Sequence, residues 1–107
     1  MTLSGDNETK YMYSEKRVIK MYVKEVLVQN KAGLHARPAT FFIQKATSYK
    51  SSIWIEKDDR SVNAKSLLGV LSLGIVSGMT ISLVADGPDE AEALAGLKEL
   101  VESGLNE

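Results

Sequence analysis

The segment Gly33-Leu34-His35-Ala36-Arg37-Pro38-Ala39-Thr40 holds the only histidine of the chain. Its residue types suit one kind of chemistry. A neutral imidazole, with an ordinary pKa of about 6.5, can attack an electrophilic phosphorus through one ring nitrogen and hold the phosphoryl group as a phosphoramidate. Pro38 suits the first turn of a helix, and an opening turn carries backbone N–H groups without intrahelical partners. A phosphoryl group on His35 would meet the positive end of a helix dipole, the N–H groups of Ala36 and Arg37, and the planar Arg37 guanidinium. Such a carrier must bind moderately, because each excess of about 1.4 kcal/mol shifts onward transfer tenfold. A lone histidine is more often a surface or capping residue; here the helix start, Arg37 and the preceding glycine favour chemistry.

A second segment, Lys65-Ser66-Leu67-Leu68-Gly69-Val70-Leu71-Ser72-Leu73-Gly74, places apolar residues in nearly every direction around a short helix. Some must face outward. Val70 and Leu73 can fill a core while Leu67, Leu68 and Leu71 form a docking patch, with core filling as the alternative for all five. Ser66 suits the N-cap of this helix. Phosphorylation there would add nearly two negative charges beside the helix N-terminus and at the border of the leucine patch, a way to switch partners.

These segments need elements to position them. A β-rich run over Tyr22–Gln29 ends in the turn formers Asn30 to Gly33. Pro38, Ala39, Phe42, Ile43 and Ala46 contain the spacing of one helix face, which fades near Ser48. Ser52–Glu56 alternates, with Ile53 and Ile55 on one side and Trp54 on the other, and Lys57 to Arg60 predicts a hairpin into Ser61–Asn63. Ser66–Ile75 predicts the second helix and Met79–Ala85 the fourth strand, with Ile81, Leu83 and Ala85 on one face. Gly87-Pro88 opens the last helix, Pro88 taking its first position and Asp89 and Glu90 its first turn. Leu94, Leu97 and Val101 form its buried stripe, and Gly104 suits its end.

The order βαββαβα predicts an α+β open-faced β-sandwich: a four-stranded antiparallel sheet covered on one face by three helices. Trp54 then falls on the open face. Residues 1–20 read differently. Asp6, Glu8, Lys10, Glu15, Lys16, Arg17 and Lys20 interrupt any apolar period, which predicts a flexible N-terminal extension ahead of a domain over 21–107.

Composition excludes several function classes. With 107 residues, 44% apolar, the chain suits one domain. Thirteen basic against fourteen acidic residues leave a net charge of −1, with no positive field for nucleic acid. The strands also lack the clustered aromatics of an RNA-binding sheet. Without cysteine and with one histidine, no thiolate or multi-histidine metal site is expected, and no cofactor is needed. No apolar run approaches the ~20 residues of a membrane span, so a cytoplasmic protein without membrane insertion is expected.

On these two segments the chain resembles HPr, the histidine-containing phosphocarrier family of the phosphoenolpyruvate-dependent sugar phosphotransferase system. Gly-Leu-His-Ala-Arg-Pro-Ala at 33–39 looks like the family's active-site signature, and residues 62–74 look like its regulatory-serine segment. The resemblance implies that His35 accepts a phosphoryl group on Nδ1 from phosphorylated enzyme I. It would pass the group to the enzyme IIA unit of a sugar permease, with Arg37 assisting and no turnover by the carrier alone. It further implies that Ser66 is the target of HPr kinase/phosphorylase, the phosphoserine form acting with a transcription factor in carbon catabolite repression. The family fold is the open-faced sandwich read above, and a monomer is expected. HPr-like proteins that keep the serine and lack the histidine suggest an alternative, a regulatory module working mainly through phospho-Ser66.

Overall fold

The computed structural model describes residues 8–13, 18–31, 33–34 and 36–104, with residues 8–13 and 18–21 described by backbone alone. The strands are β1 (Glu8–Tyr13), β2 (Val18–Leu27), β3 (Ser52–Lys57), β4 (Arg60–Asn63) and β5 (Thr80–Asp86). The helices are α1 (Ala36–Thr47), α2 (Leu67–Ser72) and α3 (Glu90–Glu102). All pairings are antiparallel, in the order β1-β2-β5-β3-β4.

Four of these strands form the expected sheet. Its register aligns the inward sets: Ile53 with Ala85, Ile55 with Leu83, and Val26 with Ile81. Successive strand residues face opposite ways, so these residues build one layer against Phe42 and Ala46 of α1, Val70 of α2, and Leu94, Leu97 and Val101 of α3. Burial of this layer supplies the main driving force of folding. On the other face half-buried Trp54 packs with Val23 and Val84, which lie in one row across the sheet. Asp58, at φ 55, makes the β3–β4 turn in the left-handed region that Asp tolerates.

Within the stretch expected as a flexible extension, residues 8–13 and 18–20 lie in strands. Glu8–Tyr13 pairs with Val18–Val23, and the N-terminal region thereby adds a fifth strand to the edge of the sheet. Thr9, Tyr11 and Tyr13 alternate with Lys10 and Met12, a period of two that the scattered charges conceal. Residues 1–7 and 14–17 of that extension lie outside the described residues.

Two helix boundaries also differ. The second helix closes at Ser72 rather than Ile75, because Leu73 caps it and Gly74, at φ 61, turns the chain left-handed. The last helix opens at Glu90 with Asp89 as N-cap, so Pro88 precedes the helix instead of starting it. Asp89 is drawn aside by Ser51, whose hydroxyl and N–H both donate to its carboxylate.

Candidate functional site

His35 lies outside the described residues, and the site is built from its neighbours. Ala36 is the first residue of α1, and Leu34 is buried at 2% exposure. Leu34 is seated by its N–H, which donates to the Ile75 carbonyl at 3.0 Å. Just before it, Gly33 adopts φ +64, and a Cβ there would stand 2.5 Å from the Ile75 oxygen and 2.7 Å from Val76 Cα. Only glycine fits this approach without displacement. The loop that ends beside position 35 is thus clamped against the segment following α2.

The start of α1 is equally defined. Pro38 and Ala39 are buried, which points the helix start by packing, and Pro38 at the third helical position removes a donor that has no intrahelical acceptor. Ala36 and Arg37 are exposed. The first turn carries no acidic residue. A dianion placed there would meet the helix dipole and Arg37 without competing carboxylate charge.

Ser66 occupies the predicted cap position at the other segment. Its Oγ accepts the Gly69 N–H at 3.1 Å, and a Cβ on residue 69 would crowd that oxygen at 3.3 Å. Leu67 and Leu68 are exposed at 41% and 81%. Leu71 departs from the expectation: it is half-buried and packs on the core, because it follows inward Val70 and so borders the buried face of α2. Of the three leucines expected to face outward, Leu67 and Leu68 are the exposed ones.

Three features escape sequence reading. Asn30, read only as a turn former, is buried, and its Nδ2 donates to the Gly33 carbonyl at 2.8 Å. The available signal was parity, since Val26, Val28 and Asn30 alternate on the inward side of one strand and its continuation. Next, the C-terminal end of α2 is bound by two cations of the β3–β4 hairpin: Arg60 donates to the Ser72 carbonyl at 2.6 Å and Lys57 to the Leu73 carbonyl at 3.2 Å. They complement the negative end of that helix. Finally, Asp89 accepts the Lys50 and Ser51 N–H groups, each at 2.9 Å, and ties the end of the α1–β3 link to α3. The Ser51 hydroxyl and then the Lys50 N–H hold its carboxyl down, from an ordinary 3.8 to about 2.

No helix among the described residues is long and apolar enough to cross a membrane. No group of three or more His, Cys, Asp and Glu residues among them could hold a metal ion.

Comparison with known proteins places this geometry. The family model described as PTS HPr component phosphorylation site matches residues 22–103. The HPr-like protein Crh of Halalkalibacterium halodurans is 50% identical over 82 residues, covering 77% of this chain and 98% of its own length. The solved phosphocarrier protein HPr from Bacillus anthracis is 46% identical with a TM-score of 0.74, covering 76% of this chain and 96% of its own. Its four-stranded antiparallel sheet with three helices is matched here by β2, β5, β3 and β4 with α1, α2 and α3. Crh of Bacillus subtilis, described as a dimer with a swapping domain, is 44% identical with a TM-score of 0.64, covering 74% of this chain and 91% of its own.

Proposed function

We propose a phosphoryl relay through His35, and the premise is membership: the chain belongs to the HPr family of phosphocarrier proteins. Nδ1 of the neutral His35 ring attacks the phosphorus held by enzyme I. As the new P–N bond forms, the bond to the donor breaks, and the donor group leaves with its electron pair. The Arg37 guanidinium and the Ala36 N–H balance the charge of the three phosphoryl oxygens. Transfer to an enzyme IIA acceptor repeats the step in reverse, so the carrier is consumed and regenerated and catalyses nothing alone. The observation that supports this reading most is the clamped loop at Gly33 and Leu34, leading into a helix start with no acidic residue. A phosphoacceptor between the two would meet a favourable field and the exposed Arg37.

Phosphorylation of Ser66 by HPr kinase/phosphorylase is the regulatory half of the proposal, with Leu67 and Leu68 as part of the surface that a catabolite-control transcription factor reads. The likeness to Crh favours a second reading, a module acting mainly through phospho-Ser66. We place both activities in the cytoplasm, where phosphoenolpyruvate and ATP are found. The working form in this proposal is a monomer; the swapped dimer of Bacillus subtilis Crh sets the alternative, and sedimentation of the full chain separates them.

One assay with two arms decides between the readings. Incubation with phosphoenolpyruvate and enzyme I should add one phosphoryl mass, labile in acid and stable in base. Incubation with the kinase and ATP should add an acid-stable one, absent from Ser66→Ala. Phosphorylation in the second arm alone, followed by binding to the transcription factor, would establish the regulatory module and remove the relay.

A further inference from the structure

We infer that Asn30 is a positioning residue for the phosphoacceptor, acting on His35 through Gly33 and Leu34; this rests on the relay reading above. Asn30 continues the inward series of Val26 and Val28, yet brings an amide where that series calls for an apolar side chain. It is 3% exposed. Its Nδ2 donates to the Gly33 carbonyl at 2.8 Å, while its own carbonyl accepts the Gly33 N–H at 3.2 Å. One residue thus holds both backbone polar groups of Gly33. The next N–H along, that of Leu34, is fixed by Ile75, and position 35 follows.

The other half of the amide argues against a role in core stability. Asn30 Oδ1 is buried and has no hydrogen-bond partner among the described residues. An unpaired buried carbonyl oxygen is destabilising, and a leucine of similar shape would fill the position without it. What an amide supplies and leucine cannot is the N–H that fixes the direction of the Gly33 carbonyl. Rotation of the Gly33–Leu34 peptide would carry position 35 with it. Group transfer is sensitive to such rotation, since a misplacement of about 1 Å can cost on the order of a hundredfold in rate.

The test compares the full chain with Asn30→Leu, which keeps the shape and removes the donor. Two readouts are used on samples that circular dichroism shows to be fully folded. One is the rate of phosphoryl gain from phosphoenolpyruvate and enzyme I; the other is the NMR spectrum, through the His35 ring shifts and the backbone amide shifts. The expected result is transfer slowed by about tenfold or more. His35 ring shifts should move, and amide shifts should change near residues 30–37 and 75–76 while those of α3 stay in place. Should the leucine variant fail to fold, Asn30→Ala serves, since it removes the same donor without adding bulk or charge. Transfer at the parent rate with unmoved His35 resonances would overturn the inference. If the parent chain accepts no phosphoryl group, the relay reading fails, and the ring and amide shifts still decide whether Asn30 sets the loop.

Discussion

At the start of α2 the Ser66 hydroxyl accepts the Gly69 N–H at 3.1 Å, and the helix supplies its own cap. The start of α1 is held from outside the helix, by Asn30 on Gly33, by Ile75 on Leu34 and by the burial of Pro38. The difference teaches what each helix start can do with phosphate. At α2 a phosphoryl group would be added to an oxygen already used in capping, so it modifies a finished structure and changes what the neighbouring leucines present. At α1 the loop is fixed at Gly33 and Leu34, ahead of the proposed phosphoacceptor, which leaves exposed Ala36 and Arg37 to meet a transient dianion. A durable mark suits the first arrangement and a passing one suits the second.

The comparison can be broken most severely at Gly33. Gly33→Val forces a branched side chain into left-handed backbone, at about 1–2 kcal/mol, and against the Ile75 carbonyl, at about 1–3 kcal/mol. Urea unfolding should show a loss on the order of 2–5 kcal/mol, the sum of those two terms, accompanied by slowed phosphoryl gain at His35. A change below half a kilocalorie would mean that the loop is not clamped as described.

Ser66→Ala removes the cap of α2 and should cost about 1 kcal/mol in the same measurement. Phosphoryl gain from enzyme I should remain near the parent rate. Coupled loss of both would show that the two helix starts are not independent.

A third helix start sharpens the contrast, because Asp89 turns its carboxylate away from α3 and toward Lys50 and Ser51. Its folded-state pKa of about 2 lies below the ordinary 3.8. The folded chain therefore binds this proton less readily than the unfolded chain. The stabilisation is complete above about pH 4 and is lost as pH falls through the interval toward 2. Thermal midpoints measured across that window should fall more steeply in the parent than in Asp89→Asn.

The smallest effect is expected on the α2 surface. Leu68→Glu should change stability by no more than about 0.5 kcal/mol, since the side chain is largely exposed, and should weaken docking of a partner. Leu71→Glu should destabilise clearly, because that side chain packs on the core. Equal behaviour of the two would return Leu71 to the docking patch.

Much of this arrangement was legible in sequence. Alternation in Ser52–Glu56 and Met79–Ala85 set the sheet faces, since side chains of period two leave little choice of register. Gly33, Pro38 and Ser66 marked loop and helix boundaries through backbone restrictions that act locally. What escaped depends on contacts across the chain. Pro88 is a good first helical residue, yet Ser51, 38 residues away from Asp89, moves the start to Glu90. Asn30 is a common turn former, and only its burial beside Gly33 reveals a clamp. Tyr11 and Tyr13 favour a strand, but without the edge of β2 in view the intervening charges read as a solvated tail. Leu71 was placed by helical spacing alone, which cannot show where the core layer ends.

The most direct test of the account is the mass and chemical lability of the full chain after incubation with phosphoenolpyruvate and enzyme I, run beside His35→Ala. The account predicts one added phosphoryl group in the parent, released by acid and retained in base, and none in the variant. An unmodified parent, or a variant that still carries the group, would contradict it.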